Sequence, residues 1–139
     1  MKIIQVVGRS NSGKTTFIKQ LIPKLKTQGR VAVIKHLGDH EFELEEGKDT
    51  TGFFDAGADI SVGIDAHKSV VAIRNNSLEN ALQILFYQGM NFTVIEGYKQ
   101  IAFTRIVIGD LESNQCVLTN PYPDEVLASL DAFEDFKSY

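Results

Sequence analysis

A glycine-rich segment near the N terminus carries residue types whose spacing suits phosphate binding. Residues 8–15 read Gly-Arg-Ser-Asn-Ser-Gly-Lys-Thr and match the pattern G-x-x-x-x-G-K-[ST] at every fixed position. The two glycines let the backbone come close to an anion, so that successive N–H groups can point at it. The lysine would reach the β and γ phosphates, and the threonine hydroxyl would ligate Mg²⁺. This spacing predicts a phosphate-binding loop (P-loop) whose nucleotide contacts are Gly8, Arg9, Ser10, Asn11, Ser12, Gly13, Lys14, Thr15 and Thr16.

A carboxylate after an apolar run is a candidate for the metal side of this site. Residues 92–95 form the run, and Glu96 follows it directly. A P-loop enzyme needs an acid on a neighbouring strand to hold Mg²⁺ or its water. Glu96 is therefore predicted as a catalytic residue and, with Thr15, as a Mg²⁺ ligand. The alternative interpretation is that Glu96 begins a surface loop.

A second acid, Asp49, stands after the second predicted strand and the acidic loop that follows it. In α/β sheets, ligands bind beyond the carboxyl ends of the strands, which would bring Lys35, His36 and Asp49 towards the phosphates. Asp49 is therefore predicted as a second catalytic residue, either as a Mg²⁺ ligand or as a group that orients water. The alternative interpretation is that Asp49 is a helix N-cap paired with Lys48.

Short apolar runs alternate with amphipathic segments along the chain, which is typical of strands alternating with helices. Strands are predicted at residues 2–7, 30–36, 59–64, 69–74, 91–95, 105–109 and 115–118, and helices at residues 15–28, 49–57, 78–87 and 123–136. This alternation predicts an α/β fold, a P-loop NTPase-like three-layer α/β/α arrangement on a mainly parallel sheet. The polar turn at residues 65–68 adds a hairpin, which would place one antiparallel strand at the sheet edge. Residues 1–139 are assigned to a single domain.

Composition and charge exclude several classes of protein. The formal net charge is −4 and no stripe of lysine and arginine stands out, which argues against nucleic acid as a partner. No apolar run approaches the ~18 residues of a membrane span, and no signal-peptide pattern opens the chain. The single cysteine, Cys116, cannot form an internal disulfide. We therefore expect a cytoplasmic protein that binds neither nucleic acid nor membrane.

Four short motifs, taken in order, resemble those of a known family. They are Val-Ile-Lys-His at 33–36, Gly-Lys-Asp-Thr at 47–50, Ala-Gly-Ala at 56–58 and Ile-Glu-Gly-Tyr-Lys at 95–99. Together with the P-loop they make a specific combination, and the similarity extends to about Asp110. On these residues the chain resembles the molybdopterin-guanine dinucleotide biosynthesis protein B (MobB) family.

The resemblance implies a function and a set of site residues. Members of the family bind GTP with Mg²⁺, hydrolyse it weakly, form homodimers and assist the enzyme that attaches GMP to molybdopterin. GTP, a molybdopterin guanylyltransferase, a second copy of the chain and molybdopterin itself are therefore the implied partners. The resemblance also implies Asp49 and Glu96 on the metal side, and contacts to nucleotide or to a neighbouring anion from Lys35, His36, Lys48 and Lys99.

The sequence departs from the family pattern before the Gly-Lys-Asp motif, where many members carry further histidines and an aspartate. Here residues 37–46 keep one histidine, His40, and Glu45 is a candidate for the position of the aspartate. The common guanine-reading motif Asn-Lys-x-Asp does not occur in the sequence, so guanine preference rests on the resemblance. Asn120, which follows the last predicted strand, is predicted to contact the base.

Two other functions are compatible with a P-loop. A small ATP-dependent kinase would need a lid carrying arginines, and Arg9, Arg30, Arg74 and Arg105 form no cluster in the sequence. A non-catalytic adaptor would use nucleotide only to order a docking surface for a partner. An arginine at the γ-phosphate accelerates hydrolysis by ~10³–10⁵. Arg9 could act in cis, lie on the surface or reach across a dimer, so we expect hydrolysis well below about one turnover per second.

Overall fold

A computed structural model describes residues 1–138, and its elements alternate as the sequence predicts. The strands are β1 (Lys2–Val7), β2 (Val31–Lys35), β3 (Ile60–Ile64), β4 (Ser69–Ile73), β5 (Phe92–Glu96), β6 (Arg105–Val107) and β7 (Cys116–Thr119). The helices are α1 (Lys14–Lys26), α2 (Asp49–Asp55), α3 (Leu78–Tyr87) and α4 (Pro123–Ala128), followed by a 3₁₀ turn at Leu130–Ala132. The longest helix has 13 residues, and within residues 1–138 no helix has the length and apolar character needed to cross a membrane.

Five strands form one parallel sheet in the order β2-β5-β1-β6-β7. Strand β1 lies at its centre, between β5 and β6. The carboxyl ends of parallel strands lie at the same edge of a sheet, so the loop after β1 opens beside the ends of β5, β2 and β6. The predicted α/β class with a mainly parallel sheet is confirmed.

Apolar side chains of β1, β5 and β6 build the core of this sheet together with α1 and the C-terminal segment. In α1 the buried residues recur at helical spacing, which gives the helix one apolar face. Each such side chain contributes about 1.5–3 kcal/mol when it is fully buried. The strand and helix on either side of the P-loop are therefore firmly held. The cluster contains Ile4, Val6, Phe17, Ile18, Leu21, Leu25, Phe92, Val94, Ile106, Ile108, Val126 and Phe133.

The chain, predicted as one domain, divides into two compact units. The larger unit comprises Met1–Gly38 and the chain from Leu82 onward, and it contains the parallel sheet. The smaller unit is Asp39–Ala81, which contains α2, β3 and β4. Within the smaller unit Ser61 alone is buried, and its hydroxyl donates to the carbonyl of Thr50 at 2.7 Å.

The predicted hairpin is present, but it forms a two-stranded sheet of its own and not an edge of the parallel sheet. Its antiparallel register pairs Val62 with Val71. Two local partners account for this arrangement. The Asp65 carboxylate accepts the backbone N–H groups of the turn, and the Ser61 side of the hairpin packs on α2. The edges of the parallel sheet are β2 and β7.

The C-terminal segment corrects another prediction. The apolar spacing predicts a helix over residues 123–136, but α4 ends at Ala128. Beyond the helix the backbone pairs with the start of β1, where the Ile3 N–H donates to the Glu134 carbonyl at 3.0 Å. Strand β6 pairs with β1 only from Gln5 onward. The C-terminal segment therefore supplies backbone partners where β6 does not reach, and this long-range pairing prevails over the helical pattern.

Candidate nucleotide-binding site

The loop between β1 and α1 has the strand–loop–helix context that the glycine-rich motif requires. Gly13 has a φ of 99° and Asn11 a φ of 60°, both in the left-handed region that favours glycine or asparagine. A Cβ atom at Gly8 would collide with the carbonyl of Ile108 and with the Ser12 hydroxyl. The glycines at both ends of the motif are therefore required by the backbone itself, independently of any ligand.

A cleft of about 680 Å³ opens above the P-loop at the carboxyl ends of β1, β2 and β5. Three segments of the larger unit line it: the P-loop with the start of α1, the end of β2, and the loop after β5. Of the residues predicted from the sequence, the structure gathers here Gly8, Ser10, Asn11, Ser12, Gly13, Lys14, Thr15, Thr16, Lys35, His36, Glu96 and Lys99.

The Thr15 hydroxyl and the Glu96 carboxylate meet inside the cleft. Thr15 Oγ1 lies 3.3 and 3.4 Å from the two carboxylate oxygens of Glu96, and Lys35 Nζ lies 3.4 Å from Oε1. The Glu96 side chain is only 12% exposed, because β1 and β2 pair with β5 on either side of it. Glu96 is thus part of the cleft and does not begin an open surface loop. Hydroxyl and carboxylate oxygens are ligands that Mg²⁺ accepts, so this pair fits the metal that the motif implies.

No group of three or more histidine, cysteine, aspartate or glutamate side chains within residues 1–138 could hold a metal ion by itself. Mg²⁺ in nucleotide sites takes one or two protein ligands and completes its shell with phosphates and water, so this finding does not test the predicted Mg²⁺ site.

Three ammonium groups converge near the P-loop. Lys14 Nζ donates to the loop's own carbonyls, those of Gly8 at 3.1 Å and Arg9 at 2.7 Å. Burial lowers the pKa of Lys14; the charge of Glu96 acts in the opposite direction, and those of Lys99 and Lys35 lower it further. A bound polyanion would favour the charged form of Lys14, so the cleft is electrostatically suited to a triphosphate.

An aromatic pair closes one wall of the cleft. The rings of His36 and Tyr98 stack with centroids 4.0 Å apart and an angle of 21° between their planes. Tyr98 has a φ of 53°, next to Gly97 with a φ of 96°. The sequence singled out His36 but not Tyr98, although Tyr98 stands between the two predicted site residues Glu96 and Lys99.

In the larger unit, two residues predicted from the sequence, Arg9 and Asn120, do not line the cleft. Arg9 Nε pairs with Asp110 Oδ1 at 3.1 Å on the exposed surface. The Asn120 side chain is committed to Gly109, accepting its N–H at 2.7 Å and donating to its carbonyl at 3.1 Å. The contact of Asn120 with a base and the action of Arg9 on phosphate stay predictions.

Lys48 and Asp49 belong to the smaller unit. Lys48 is the N-cap residue of α2 and pairs with Glu45 at 3.5 Å, and Asp49 is the first helical residue. The alternative interpretation of Asp49 as an N-cap paired with Lys48 is therefore wrong. The metal-side role of Asp49 and the nucleotide contact of Lys48 stay predictions.

Comparison with known proteins gives related sequences over most of the chain. A family model described as molybdopterin guanine dinucleotide synthesis protein B matches residues 3–130. A probable molybdopterin-guanine dinucleotide biosynthesis adapter protein of Bacillus subtilis is 38% identical over 124 residues, covering 83% of this chain and 71% of that protein. A putative protein of the same description from Methanocaldococcus jannaschii is 35% identical over 100 residues, covering 72% of this chain and 42% of that protein.

Solved structures share the fold. The crystal structure of Bacillus subtilis MobB aligns with a TM-score of 0.72 at 24% identity, covering 96% of this chain and 99% of that one. The structure of a MobB protein homolog from Bacillus stearothermophilus aligns with a TM-score of 0.57 at 21% identity, covering 97% and 74%. With the family model and the Bacillus subtilis sequence, the conclusion is that this chain belongs to the MobB family.

Proposed function

We propose that the chain binds GTP with Mg²⁺ at the P-loop, hydrolyses GTP weakly and assists the attachment of GMP to molybdopterin. The observation that carries this proposal is the contact of the Thr15 hydroxyl with Glu96, at 3.3 Å, in the cleft that also contains Lys14. A phosphate-binding lysine and two oxygen ligands for Mg²⁺ are thereby adjacent. The names of the relatives, which are biosynthesis adapter proteins, support the pathway and a partner within it. The family resemblance implies that this partner is a molybdopterin guanylyltransferase.

Each part of the cleft has a defined task in this proposal. The backbone N–H groups of the P-loop and the N terminus of α1 attract the phosphates, because both present positive dipole ends. Lys14 leaves the loop carbonyls and neutralises phosphate oxygens. Thr15 and Glu96 would hold Mg²⁺, which supplies charge neutralisation at the β and γ phosphates. Lys35 and Lys99 add positive charge on the same side of the cleft.

Weak hydrolysis follows from what the cleft does not supply. No arginine is among the residues that line it in the described part of the chain. Arg9, the one arginine in the P-loop, pairs with Asp110. Since an arginine finger is worth ~10³–10⁵ in rate, its absence from the cleft predicts slow turnover unless a partner supplies one.

The homodimer implied by the family has a candidate surface in the smaller unit. In the hairpin, Ile60, Val62 and Ile64 alternate onto one face, and Val71 joins them from β4 through its pairing with Val62. All four side chains are exposed, and Ile64 is 79% exposed. Two-stranded hairpins are marginal by themselves, and contiguous exposed apolar residues mark interaction sites. We therefore assign this face, the hairpin face, to contact with a second copy of the chain.

A small ATP-dependent kinase finds less support in the other arginines, because a kinase lid needs arginines that can close over the donor. Arg30 donates to the carbonyl of Gln88. Arg74 donates to the carbonyl of Phe54 and lies over its ring, with the guanidinium carbon 4.1 Å from the ring centroid. Arg105 is buried in the sheet. None of the three is placed as a lid residue.

Two measurements test this function: the relative affinity for GTP and ATP, and the effect of the chain on a molybdopterin guanylyltransferase. Calorimetric titration of the chain with GTP and with ATP, both with Mg²⁺, is expected to give at least about tenfold tighter binding of GTP, a difference of ~1.4 kcal/mol. The second measurement is the rate at which a molybdopterin guanylyltransferase forms the guanine dinucleotide with limiting GTP, with and without the chain.

The chain is expected to raise that rate most when GTP is scarce. Equal or tighter binding of ATP would refute the guanine assignment and favour the kinase. Tight GTP binding with no effect on the guanylyltransferase would refute the assisting role. GTP binding and assistance without measurable phosphate release would favour an adaptor that does not use hydrolysis.

A further inference from the structure

Two buried polar side chains lie side by side in the interior of the parallel sheet. Gln5 of β1 is 0% exposed and Arg105 of β6 is 6% exposed. The two residues are register partners on neighbouring strands. The rest of β1 from Ile3 to Val7 is apolar and buried, so Gln5 is the exception in an otherwise hydrophobic strand. Buried polar groups need hydrogen-bond partners, and the partners of these two reveal what they hold.

The donors of both side chains converge on one loop, residues 97–103, which leaves the end of β5. Gln5 Nε2 donates to the carbonyls of Gly97 and Tyr98, both at 2.8 Å. The Arg105 guanidinium donates to the carbonyls of Lys99 and Phe103, each at 3.2 Å, and to that of Ile101. It also donates to Ser113 Oγ at 3.1 Å. Five carbonyls of one short loop are thus bound by two side chains from inside the sheet.

The same loop forms a wall of the nucleotide cleft. Its first four residues line the cleft, and they include Tyr98 and Lys99. Tyr98 has a left-handed backbone, which a residue with a large side chain adopts only when its surroundings enforce it. The two hydrogen bonds from Gln5 to Gly97 and Tyr98 act at that strained point. They hold the Tyr98 ring where it stacks on His36.

The hydrogen bonds of Gln5 are one-sided, because within residues 1–138 its Nε2 group is paired and its Oε1 atom is not. Gln5 Oε1 is buried and has no hydrogen-bond partner among the residues that the structure describes. The unpaired Oε1 is destabilising, whereas the Nε2 group supplies donors to the carbonyls of Gly97 and Tyr98 that an apolar side chain would not supply. The amide orientation is fixed nonetheless, since turning it over would set an oxygen against two carbonyl oxygens. The hydrogen bonds from Gln5 therefore fix the backbone geometry of the loop at Gly97 and Tyr98.

We propose that Gln5 and Arg105 are positioning residues that hold residues 97–103 so that the Lys99 ammonium meets the terminal phosphate of a bound triphosphate. The inference rests on the proposed function, because it concerns the same cleft. Neither residue lines the cleft. Both act through the backbone of the loop, Gln5 at its start and Arg105 over its middle and end.

The experiment compares affinities for GTP and GDP, each with Mg²⁺, in four proteins. They are the wild type, Gln5→Met, Arg105→Met and Thr93→Val. Thr93 is the matched control, because it is a fully buried polar residue on the neighbouring strand whose hydroxyl contacts Met1 Sδ and not the loop. Gln5→Met keeps the shape of the side chain and removes only its hydrogen bonds, so it is the variant expected to fold best.

The expected result is a selective loss of triphosphate affinity. Gln5→Met and Arg105→Met should bind GTP about tenfold more weakly, the size of effect seen when supporting groups around a site are removed, while GDP affinity changes less than about twofold. Thr93→Val should leave both affinities and their ratio unchanged. A general folding defect would weaken both nucleotides alike and would not change the ratio.

A double-mutant cycle with Lys99→Ala tests whether Gln5 affects GTP affinity through Lys99. If Gln5 acts through Lys99, then Gln5→Met should cost nothing further in the Lys99→Ala background. Additive losses, or an unchanged GTP-to-GDP ratio in Gln5→Met and Arg105→Met, would overturn the proposal while leaving the proposed function intact. Failure of the wild type to bind GTP would refute both at once, so the two failures are distinguishable.

Discussion

The two units of the chain bury their apolar residues in opposite ways. The larger unit encloses the central strands of a parallel sheet, so that β1 is buried from Ile3 to Val7 on both of its faces. The smaller unit buries Ser61 alone and leaves the apolar hairpin face of Ile60, Val62, Ile64 and Val71 exposed. The two units therefore differ in how much apolar surface they bury, and the proposed function gives each pattern a role. Under the proposed function, the packed core of the larger unit holds the P-loop in place, and the exposed apolar face of the smaller unit contacts a second copy of the chain.

The strongest contrast between the units should appear in stability. Leu21→Ala removes a fully buried side chain from the core cluster and should lower the free energy of unfolding by about 2–5 kcal/mol. Val62→Ala changes an exposed side chain and should alter it by no more than about 0.5 kcal/mol. Urea denaturation at protein concentrations too low for association checks both values. A large loss in Val62→Ala under these conditions would mean that the hairpin face is already covered within one chain.

The next contrast concerns association. Val62→Asp places a carboxylate in the hairpin face, where burial against a second copy would leave the charge unpaired. We expect this variant to be monomeric at a concentration at which the wild type forms the proposed homodimer, and sedimentation or light scattering measures both. Val117→Asp is the control, since Val117 is an exposed valine on β7 of the larger unit. A dimer that persists in Val62→Asp but dissociates in Val117→Asp would place the interface on the larger unit and contradict its assignment to the hairpin face.

A third test compares Glu96 of the larger unit with Asp49 of the smaller unit in Mg²⁺-dependent binding of GTP. Glu96→Gln keeps the shape of the side chain but removes a charge that touches Thr15 in the cleft. The Mg²⁺ concentration needed for half-maximal GTP binding should rise by about ten- to a hundredfold, because a metal ligand is lost. Asp49→Asn, in the smaller unit, should have a smaller effect. Equal effects would mean that Asp49 contributes to Mg²⁺ binding as much as Glu96 does, which would contradict the proposal that Thr15 and Glu96 are the main protein ligands.

The smallest predicted effect is a change in the titration of Lys14. Burial and the charges of Lys99 and Lys35 hold its pKa below the ordinary value, against the opposing charge of Glu96. Lys99→Ala removes a neighbouring positive charge, so the pKa of Lys14 should rise. Lysine side-chain NMR without nucleotide measures this, with Lys14→Ala identifying the signal. An unchanged or lower pKa in Lys99→Ala would mean that the two ammonium groups do not converge.

Much of the larger unit could be predicted from the sequence because its signals are local. The apolar run before Gly8 and the helical spacing of Phe17, Leu21 and Leu25 specify β1 and α1 without knowledge of the rest of the chain. The P-loop is equally local, since its glycines, lysine and threonine stand in one short segment. The position of Glu96 beside the P-loop follows from one additional rule, that the carboxyl ends of parallel strands lie at the same edge of a sheet.

The features that escaped prediction depend on partners far apart in sequence. Residues 123–136 keep helical spacing, yet the carbonyl of Glu134 accepts a hydrogen bond from Ile3 at the other end of the chain. Tertiary pairing overrides local propensity there. Gln5 and Arg105 look like single polar residues in apolar strands, and only the folded sheet shows that they share the loop at residues 97–103. The hydrogen bonds between the Asn120 amide and Gly109 were likewise not predicted, and the contact of Asn120 with a base stays a prediction.

Binding of GTP with Mg²⁺ to Lys14→Ala, measured by calorimetry beside the wild type and Lys19→Ala, tests the central claim that the P-loop holds a triphosphate. Lys19 is an exposed lysine of the same helix and controls for net charge. The account predicts that Lys14→Ala binds about ten- to a hundredfold more weakly, because charge-assisted hydrogen bonds to phosphate are lost, while Lys19→Ala binds like the wild type. Equal binding by all three proteins would contradict it.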